Sequence, residues 1–154
     1  MFTWQETYKA LLKDQNVTDK FNLIIKTPEK ETFSGEVDNI YITTDVGDTE
    51  IHPFHASLGA VVSYSPIIIT ISENRQIEYI IKRGVLFFSN EKNEALLVAY
   101  SAQKREEIDF ESAKEYLKFV NEKLKSKDDD SLGDFTLKFL EDERIALVRE
   151  FDLD

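Results

Sequence analysis

The chain of 154 residues contains no cysteine and only two histidines, five glycines and three prolines. Without thiols it can form neither disulfides nor thiolate metal sites. The glycines form neither a G-x-G-x-x-G motif nor a Walker-type phosphate loop. No apolar run approaches the roughly 18 residues that suggest a membrane-spanning helix. We therefore expect no nucleotide-binding glycine loop and no direct membrane insertion.

Positive charge is also scarce, with 19 Lys and Arg against 30 Asp and Glu and a formal net charge of −11. Such an excess of negative charge disfavours binding to a phosphate backbone, so we expect no nucleic-acid partner. The N-terminal residues lack a basic region followed by an apolar stretch, and they carry Glu6 and Asp14 but no arginine. This pattern matches neither a secretory signal nor an organellar transit peptide, so a cytoplasmic location is expected.

What the chain does contain is enough apolar sequence for a folded core, at 42% hydrophobic residues. From Phe21 onward, short runs rich in Ile, Val, Thr and aromatic residues alternate with polar or Gly/Pro segments, which predicts an antiparallel β-sandwich or barrel. Residues 76–82 become apolar on both faces, which predicts a strand covered on both sides. The predicted strands are 21–26, 31–37, 39–44, 66–72, 76–82, 85–90 and 95–101.

Helical periodicity appears at both ends of the chain. Thr3 and Glu6 have capping-box spacing before a face formed by Trp4, Tyr8 and Leu11, which predicts a short N-terminal helix that docks on this chain's own sheet or on a partner. After Ile108 two apolar stripes predict an αα-hairpin, its second helix spanning roughly 131–151. The stripes are Ala113, Tyr116, Leu117, Val120 and Leu124, then Leu137, Leu140, Leu147 and Phe151.

Residues that could perform chemistry are few. His52 and His55 could share a metal, but Pro53 lies between them and no third histidine or cysteine exists. Ser57, His55 and Asp48 could be arranged on paper as a hydrolytic triad, yet no nucleophile elbow surrounds them. The run 128–130 does not continue as a calcium-binding loop. We therefore predict no catalytic residue, no metal site and no cofactor.

Four stretches, in this order, resemble the epsilon subunit of rotary F-type ATP synthases, which is called delta in mitochondria. They are "FNLIIKTPEKETFSGEVDNIYITT" (21–44), "GDTEIHPFHASL" (47–58), "EYIIKRGVLFFSNEKNEALLVAYSA" (78–102) and "AQKREEIDFESA" (102–113). The second is similar to the family pattern G-E-x-G-I-L-P-G-H-A-P-L. The resemblance covers residues 21–126 well and the last helix only in kind.

The resemblance implies a mainly β fold: about ten antiparallel strands in a β-sandwich, then a C-terminal αα-hairpin, with the N-terminal helix as an extra element. The corresponding units are 1–20, 21–103 and 104–154. It further implies a non-catalytic rotor subunit that packs on gamma below the alpha/beta catalytic head and lies peripherally on a membrane complex. The family's loop at 47–55 faces the c ring, and Asp48 and His55 are the positions carried over for that contact.

Several residues depart from the family pattern. Glu50 and Phe54 replace glycines and His52 replaces an apolar residue, so we expect the 47–55 loop to have a different shape or partner, such as a substitute for the c ring. The family's ATP motif I/L-D-x-x-R-A is degenerate here. Serine replaces its arginine, so we expect ATP binding to be lost or weak. The degenerate motif is Ile108, Asp109, Ser112 and Ala113.

The charge of the hairpin also differs from that of inhibitory members, which extend basic helices toward an acidic part of the beta subunit. Residues 108–154 contain 14 Asp and Glu against 8 Lys and Arg. We therefore expect a compact hairpin that stays against the sandwich. These departures together suggest a specialised rotary ATPase. A free-standing β-sandwich adaptor that binds a protein through the 47–55 loop is the alternative.

Overall fold

The computed structural model describes residues 3–7, 19–108, 110–125 and 133–151, with the backbone alone for residues 110 and 111. The fold is mainly β, followed by two helices, α1 (Phe110–Lys125) and α2 (Asp134–Phe151), with a 3₁₀ turn Arg105–Glu107 before α1. Within this part of the chain, no helix has the length and apolarity to cross a bilayer. The seven strands are β1 (Phe21–Lys26), β2 (Glu31–Val37), β3 (Asn39–Thr44), β4 (Gly47–Ile51), β5 (Leu58–Ser72), β6 (Arg75–Ser89) and β7 (Glu94–Lys104).

The strands form one continuous sheet in the order β2-β1-β7-β6-β5-β3-β4. All neighbours pair antiparallel except β1 and β7, which run parallel. Every strand contributes to one buried cluster, which includes Leu23 of β1, Ile42 of β3 and Leu97 of β7. Apolar residues alternate with polar ones along most strands, so they lie on one face of the sheet. The sheet folds so that these apolar faces pack against each other and form the core of a sandwich.

The three longest strands share an interruption at a common position. Pairing is absent between Ser63 and Arg83 and between Arg83 and Tyr100, although the register continues on both sides. Arg83 has a left-handed backbone (φ 53), and the buried residues of β6 change there from odd to even positions. The segment 82–84, predicted as a break between strands, is therefore an irregularity within one strand. The structure therefore has seven strands where about ten were expected, and the three longest of them each contain this interruption.

Two stretches of strand were not predicted from the sequence. Strand β4 lies within the stretch interpreted as a loop, and the first half of β5, residues 58–65, was not assigned. Strand β4 is a five-residue edge strand that pairs only with β3, so its alternation is short. The first half of β5 exposes Val61 and Ser63 while burying Val62 and Tyr64, and its small residues obscure this alternation in the sequence.

The helical hairpin packs on the outer face of the sandwich around a second buried cluster. Tyr64 and Ile80 of the sheet meet Tyr116 and Leu117 of α1 and Leu140 of α2. Ile80 projects to the face opposite Tyr79 and Ile81, which confirms that this strand is covered on both sides. The two predicted helical stripes are confirmed as well, since their residues are buried or partly buried in this cluster.

The N-terminal helix begins as predicted. Thr3 N–H donates to Glu6 Oε2 at 3.0 Å, and Glu6 N–H donates to Thr3 Oγ1 at 3.2 Å, so the capping box is confirmed. Residues 4–7 are helical, and Trp4 is 77% exposed. Tyr8 and Leu11, the other two residues predicted for the docking face, lie outside the described residues.

Candidate partner-binding surfaces

The loop at residues 52–57 turns sharply at Phe54, which has a left-handed backbone with φ 61. Such a conformation costs a residue with a Cβ on the order of 1 kcal/mol, so it requires support from its surroundings. Phe54 N–H donates to Asn93 Oδ1 at 2.7 Å, and Asn90 Nδ2 donates to Phe54 O at 2.7 Å. Two asparagines of the β6–β7 turn therefore stabilise at Phe54 a backbone angle that glycine would adopt without strain.

The same two asparagines join this end of the sandwich into one unit. Asn93 Nδ2 donates to Lys20 O at 2.8 Å, which ties the β6–β7 turn to the start of β1. Asn90 N–H donates to Ser57 Oγ at 2.9 Å. Loop, turn and strand start are thus fixed to each other, and the loop presents its side chains from a rigid base.

The two histidines of this loop make separate contacts. His52 Nε2 lies 3.0 Å from Glu50 Oε1, with both side chains about half exposed. His55 Nδ1 lies 2.8 Å from Ala56 O, and its ring packs edge-on against Phe88. Among the described residues, no group of three or more His, Asp and Glu side chains is placed to hold a metal ion.

Asp48, at the other end of β4, contacts the hairpin. Its Oδ2 accepts the Phe135 N–H at 3.2 Å, and its Oδ1 accepts the Thr43 hydroxyl at 2.7 Å. Thr136 then donates to Thr43 Oγ1 at 2.7 Å. Gly133, which precedes α2, has no side chain to cap the helix, so Asp48 caps the N-terminus of α2 from a neighbouring strand. A Cβ at Gly133 would collide with the Asp48 carboxylate.

A buried ion pair forms the second polar contact of the hairpin. Arg105 Nε donates to Glu143 Oε2 at 2.7 Å, and the two side chains are only 15% and 11% exposed. Burial alone would lower the pKa of Arg105, but the hydrogen bond and charge of Glu143 outweigh this effect and raise it. Glu150 adds a longer contact to Arg105 at 3.6 Å. The arginine therefore remains charged and links the end of β7 to α2.

Two buried tyrosines lie beside this ion pair. Tyr64 OH donates to Tyr116 OH at 3.4 Å. Burial is the main cause that raises the pKa of both phenols, so both remain neutral. Burial, followed by the nearby charge of Glu143, also raises the pKa of Glu78. The hairpin thus covers a polar network with more carboxylates than cations.

The residues of the degenerate ATP motif are divided between this core and the rest of the hairpin. Ile108 and Ala113 are buried, at 6% and 0% exposure, in the cluster between sheet and helices. Ser112 is partly exposed, and Asp109 lies outside the described residues. Two of the four motif residues therefore pack in the hydrophobic cluster between the sheet and the helices.

A surface that the sequence reasoning missed lies on the half of the outer sheet face that the helices leave open. We refer to this surface as the apolar face, and it consists of the side chains of Val61, Val85, Phe87, Val98 and Tyr100. Val61 pairs with Val85, and Val85 with Val98, across three adjacent strands. Tyr100 is 72% exposed, and Phe87 is half exposed with its ring over Gly59. Large contiguous patches of exposed apolar side chains are typical of protein or membrane contact surfaces, so the apolar face is a candidate binding surface.

A groove of about 710 Å³ lies along this apolar face. Its charged lining consists of Lys26 from β1, Arg83 from the interruption in β6, and Lys123 from α1. No carboxylate lines it within the described part of the chain. Its polarity therefore contrasts with the negative charge of the chain as a whole.

The structure separates the predicted site residues into groups. His52, Phe54 and His55 lie together in the loop beside Glu50, whereas Asp48 lies near the opposite end of β4, in contact with α2. Ser57, His55 and Asp48 do not form a triad, because each contacts a different partner. The apolar face could have been suspected from residues 85–88 and 95–100, where apolar residues occupy both faces of the strand.

This geometry agrees with comparisons to known proteins. A family model described as "ATP synthase, Delta/Epsilon chain, beta-sandwich domain" matches residues 20–103. The chain belongs to the delta/epsilon family of ATP synthase chains. The predicted family resemblance is thereby confirmed.

Relatives of this delta/epsilon chain include the ATP synthase epsilon chain of Clostridium novyi, 32% identical over 108 residues, which are 70% of this chain and 81% of the relative. The epsilon chain of Clostridium perfringens strain SM101 is 35% identical over 115 residues, covering 73% and 83% of the two chains. A chain in the structure of the Euglena gracilis mitochondrial ATP synthase, solved with OSCP, F1 and the c-ring, superposes with a TM-score of 0.55. That match has 16% identity, covers 88% of this chain and 81% of the other, and shows a common fold.

Proposed function

We propose that this chain is a non-catalytic central-stalk subunit of an F-type rotary ATPase, which packs on gamma and helps couple rotation to the catalytic head. The observation that carries the proposal is the apolar face, an exposed apolar surface on a rigid sheet in a member of the delta/epsilon family. A rotor subunit must bind the shaft tightly and transmit torque without bending. The continuous seven-stranded sheet with one core is suited to that task.

We further propose that the loop at residues 52–57 faces the membrane side of the complex, where it contacts a c ring or a substitute partner. The hydrogen bonds from Asn90 and Asn93 to Phe54 support this role, because they fix the backbone of the loop that carries exposed His52 and partly buried Phe54. Asp48 is the exception among the predicted contact residues, since its carboxylate caps α2.

The hairpin in this proposal stays against the sandwich and does not bind regulatory ATP. The cap from Asp48, the Arg105–Glu143 pair and the cluster around Tyr64 support the docked state. Ser112 stands where the family's ATP motif has an arginine, and this supports the loss of ATP binding. A serine hydroxyl cannot form the ion pair with phosphate that a guanidinium forms.

Reconstitution with the gamma subunit from the same organism tests the proposal. The full-length chain should co-elute with purified gamma in gel filtration, and the double substitution Val98→Ser/Tyr100→Ser should abolish the complex. Ile145→Ser is the matched control, because Ile145 is also an exposed apolar residue (53%) but lies on α2. A chain that folds, as judged by circular dichroism, but never binds gamma would contradict the proposal and favour a free-standing adaptor.

A further inference from the structure

We infer that the partner segment that occupies the groove beside the apolar face is amphipathic and carries carboxylates next to its apolar side chains. The inference rests on the proposed function, which supplies gamma as the partner, and it adds the chemistry of the docking segment. The groove combines apolar walls from Val61, Val85 and Val98 with three cationic side chains. The chain has 30 acidic and 19 basic residues, so a groove whose only charged side chains are cations is not expected from its composition.

Two of these cations have no ionic partner in the described part of the chain. Lys26 and Arg83 are exposed, and neither takes part in an ion pair there. Lys123 lies 5.6 Å from the centre of the Phe119 ring. A partner that covers the apolar face removes water from Lys26 and Arg83. Because an unpaired charge is costly to desolvate, the partner must supply carboxylates opposite them.

The charges argue against two other occupants. A second copy of the chain would bring identical cationic grooves together, and like charges oppose that pairing. The N-terminal residues 1–18 carry Glu6 and Asp14 but also Lys9 and Lys13, so their side-chain charges cancel and give no electrostatic complement to the groove.

The experiment measures the affinity of the full-length chain for purified gamma from the same organism at 50 and 300 mM NaCl. The test variant is Lys26→Glu/Arg83→Glu. The control is Arg75→Glu/Lys92→Glu, which makes the same change in net charge at two exposed positions, the first residue of β6 and the β6–β7 turn. We expect the test variant to bind at least about tenfold more weakly at 50 mM, and wild-type affinity to fall about tenfold at 300 mM. The control should remain within about twofold of wild type.

Several outcomes would overturn the inference while leaving the proposed function in place. Test and control variants of equal affinity would mean that local charge in the groove does not matter. Much tighter binding after removal of residues 1–18 would mean that this chain's own N-terminus fills the groove. A wild-type dimer that the test variant or Tyr100→Ser disrupts would mean that a second copy fills it. No binding of the wild type to gamma at any salt concentration would overturn the proposed function and this inference with it.

Discussion

The cap that Asp48 supplies to α2 leads to the most specific prediction. Asp48→Ala removes the acceptor for the Phe135 N–H and a negative charge at a helix N-terminus. Loss of a helix cap typically costs about 1 kcal/mol, and loss of the charge adds a few tenths at an exposed site. We therefore expect the free energy of hairpin docking to fall by about 1–1.5 kcal/mol, which is a roughly 5- to 12-fold increase in the undocked population.

Amide hydrogen exchange reports this change directly. The amides of Leu137 and Leu140 should exchange roughly 5- to 12-fold faster in Asp48→Ala, while those of Leu23 and Ile25 in the sandwich core should not change. Gly133→Ala should act in the same direction, because its Cβ would displace the Asp48 carboxylate. Glu50→Ala is the matched control, since Glu50 lies on the same strand and pairs with exposed His52. Equal protection of α2 in Asp48→Ala and wild type would refute the capping role.

Three further predictions concern the hairpin. Arg105→Leu should lower the free energy of unfolding by about 3 kcal/mol, because it leaves Glu143 buried and unpaired. In urea denaturation, Arg105→Leu/Glu143→Leu should recover most of that loss. A double variant that is no more stable than the single variant would contradict this prediction. Glu78→Gln should stabilise the chain at pH 7. The raised pKa of Glu78 means that its charged form is unfavourable in the folded state. The gain in free energy of unfolding from Glu78→Gln should therefore be largest above the folded pKa and should vanish below the ordinary value of 4.5. A gain in stability that persists at pH 3.5 would argue against this cause. Isothermal titration with Mg–ATP should give no saturable heat, and binding in the micromolar range would show that another basic residue replaces the arginine absent at Ser112.

Much of the fold could be predicted from the sequence because its patterns are local. Alternating apolar residues locate β1 and β3, and the helical stripe from Ala113 to Leu124 identifies the buried face of α1. The four stretches that resemble the family occur in the right order, so the resemblance is recognisable even though Phe54 replaces a glycine. Phe54 itself adopts a left-handed backbone, so the chain turns sharply there without a glycine.

The features that the sequence did not predict depend on distant residues. The contact between Asp48 and Phe135 joins positions 87 residues apart, so nothing near Asp48 indicates that its carboxylate caps a helix. The interruption at Arg83 involves three strands at once, and a single-strand pattern interprets "KRG" as a turn. The apolar face was missed because runs that are apolar on both sides suggest complete burial. Only the position of the hairpin reveals which half of the outer face is left open.

The central claim is that this chain works as a rotor-stalk subunit, and an affinity purification of the tagged chain from its own cells tests it most directly. Mass spectrometry of the purified material should identify gamma together with alpha and beta, with one copy of the chain for each gamma. Ring subunits in the same complex would assign the loop at residues 52–57 to a c ring, and an unfamiliar subunit in their place would assign it to a substitute. Recovery of the folded chain without any ATPase subunit would contradict the account.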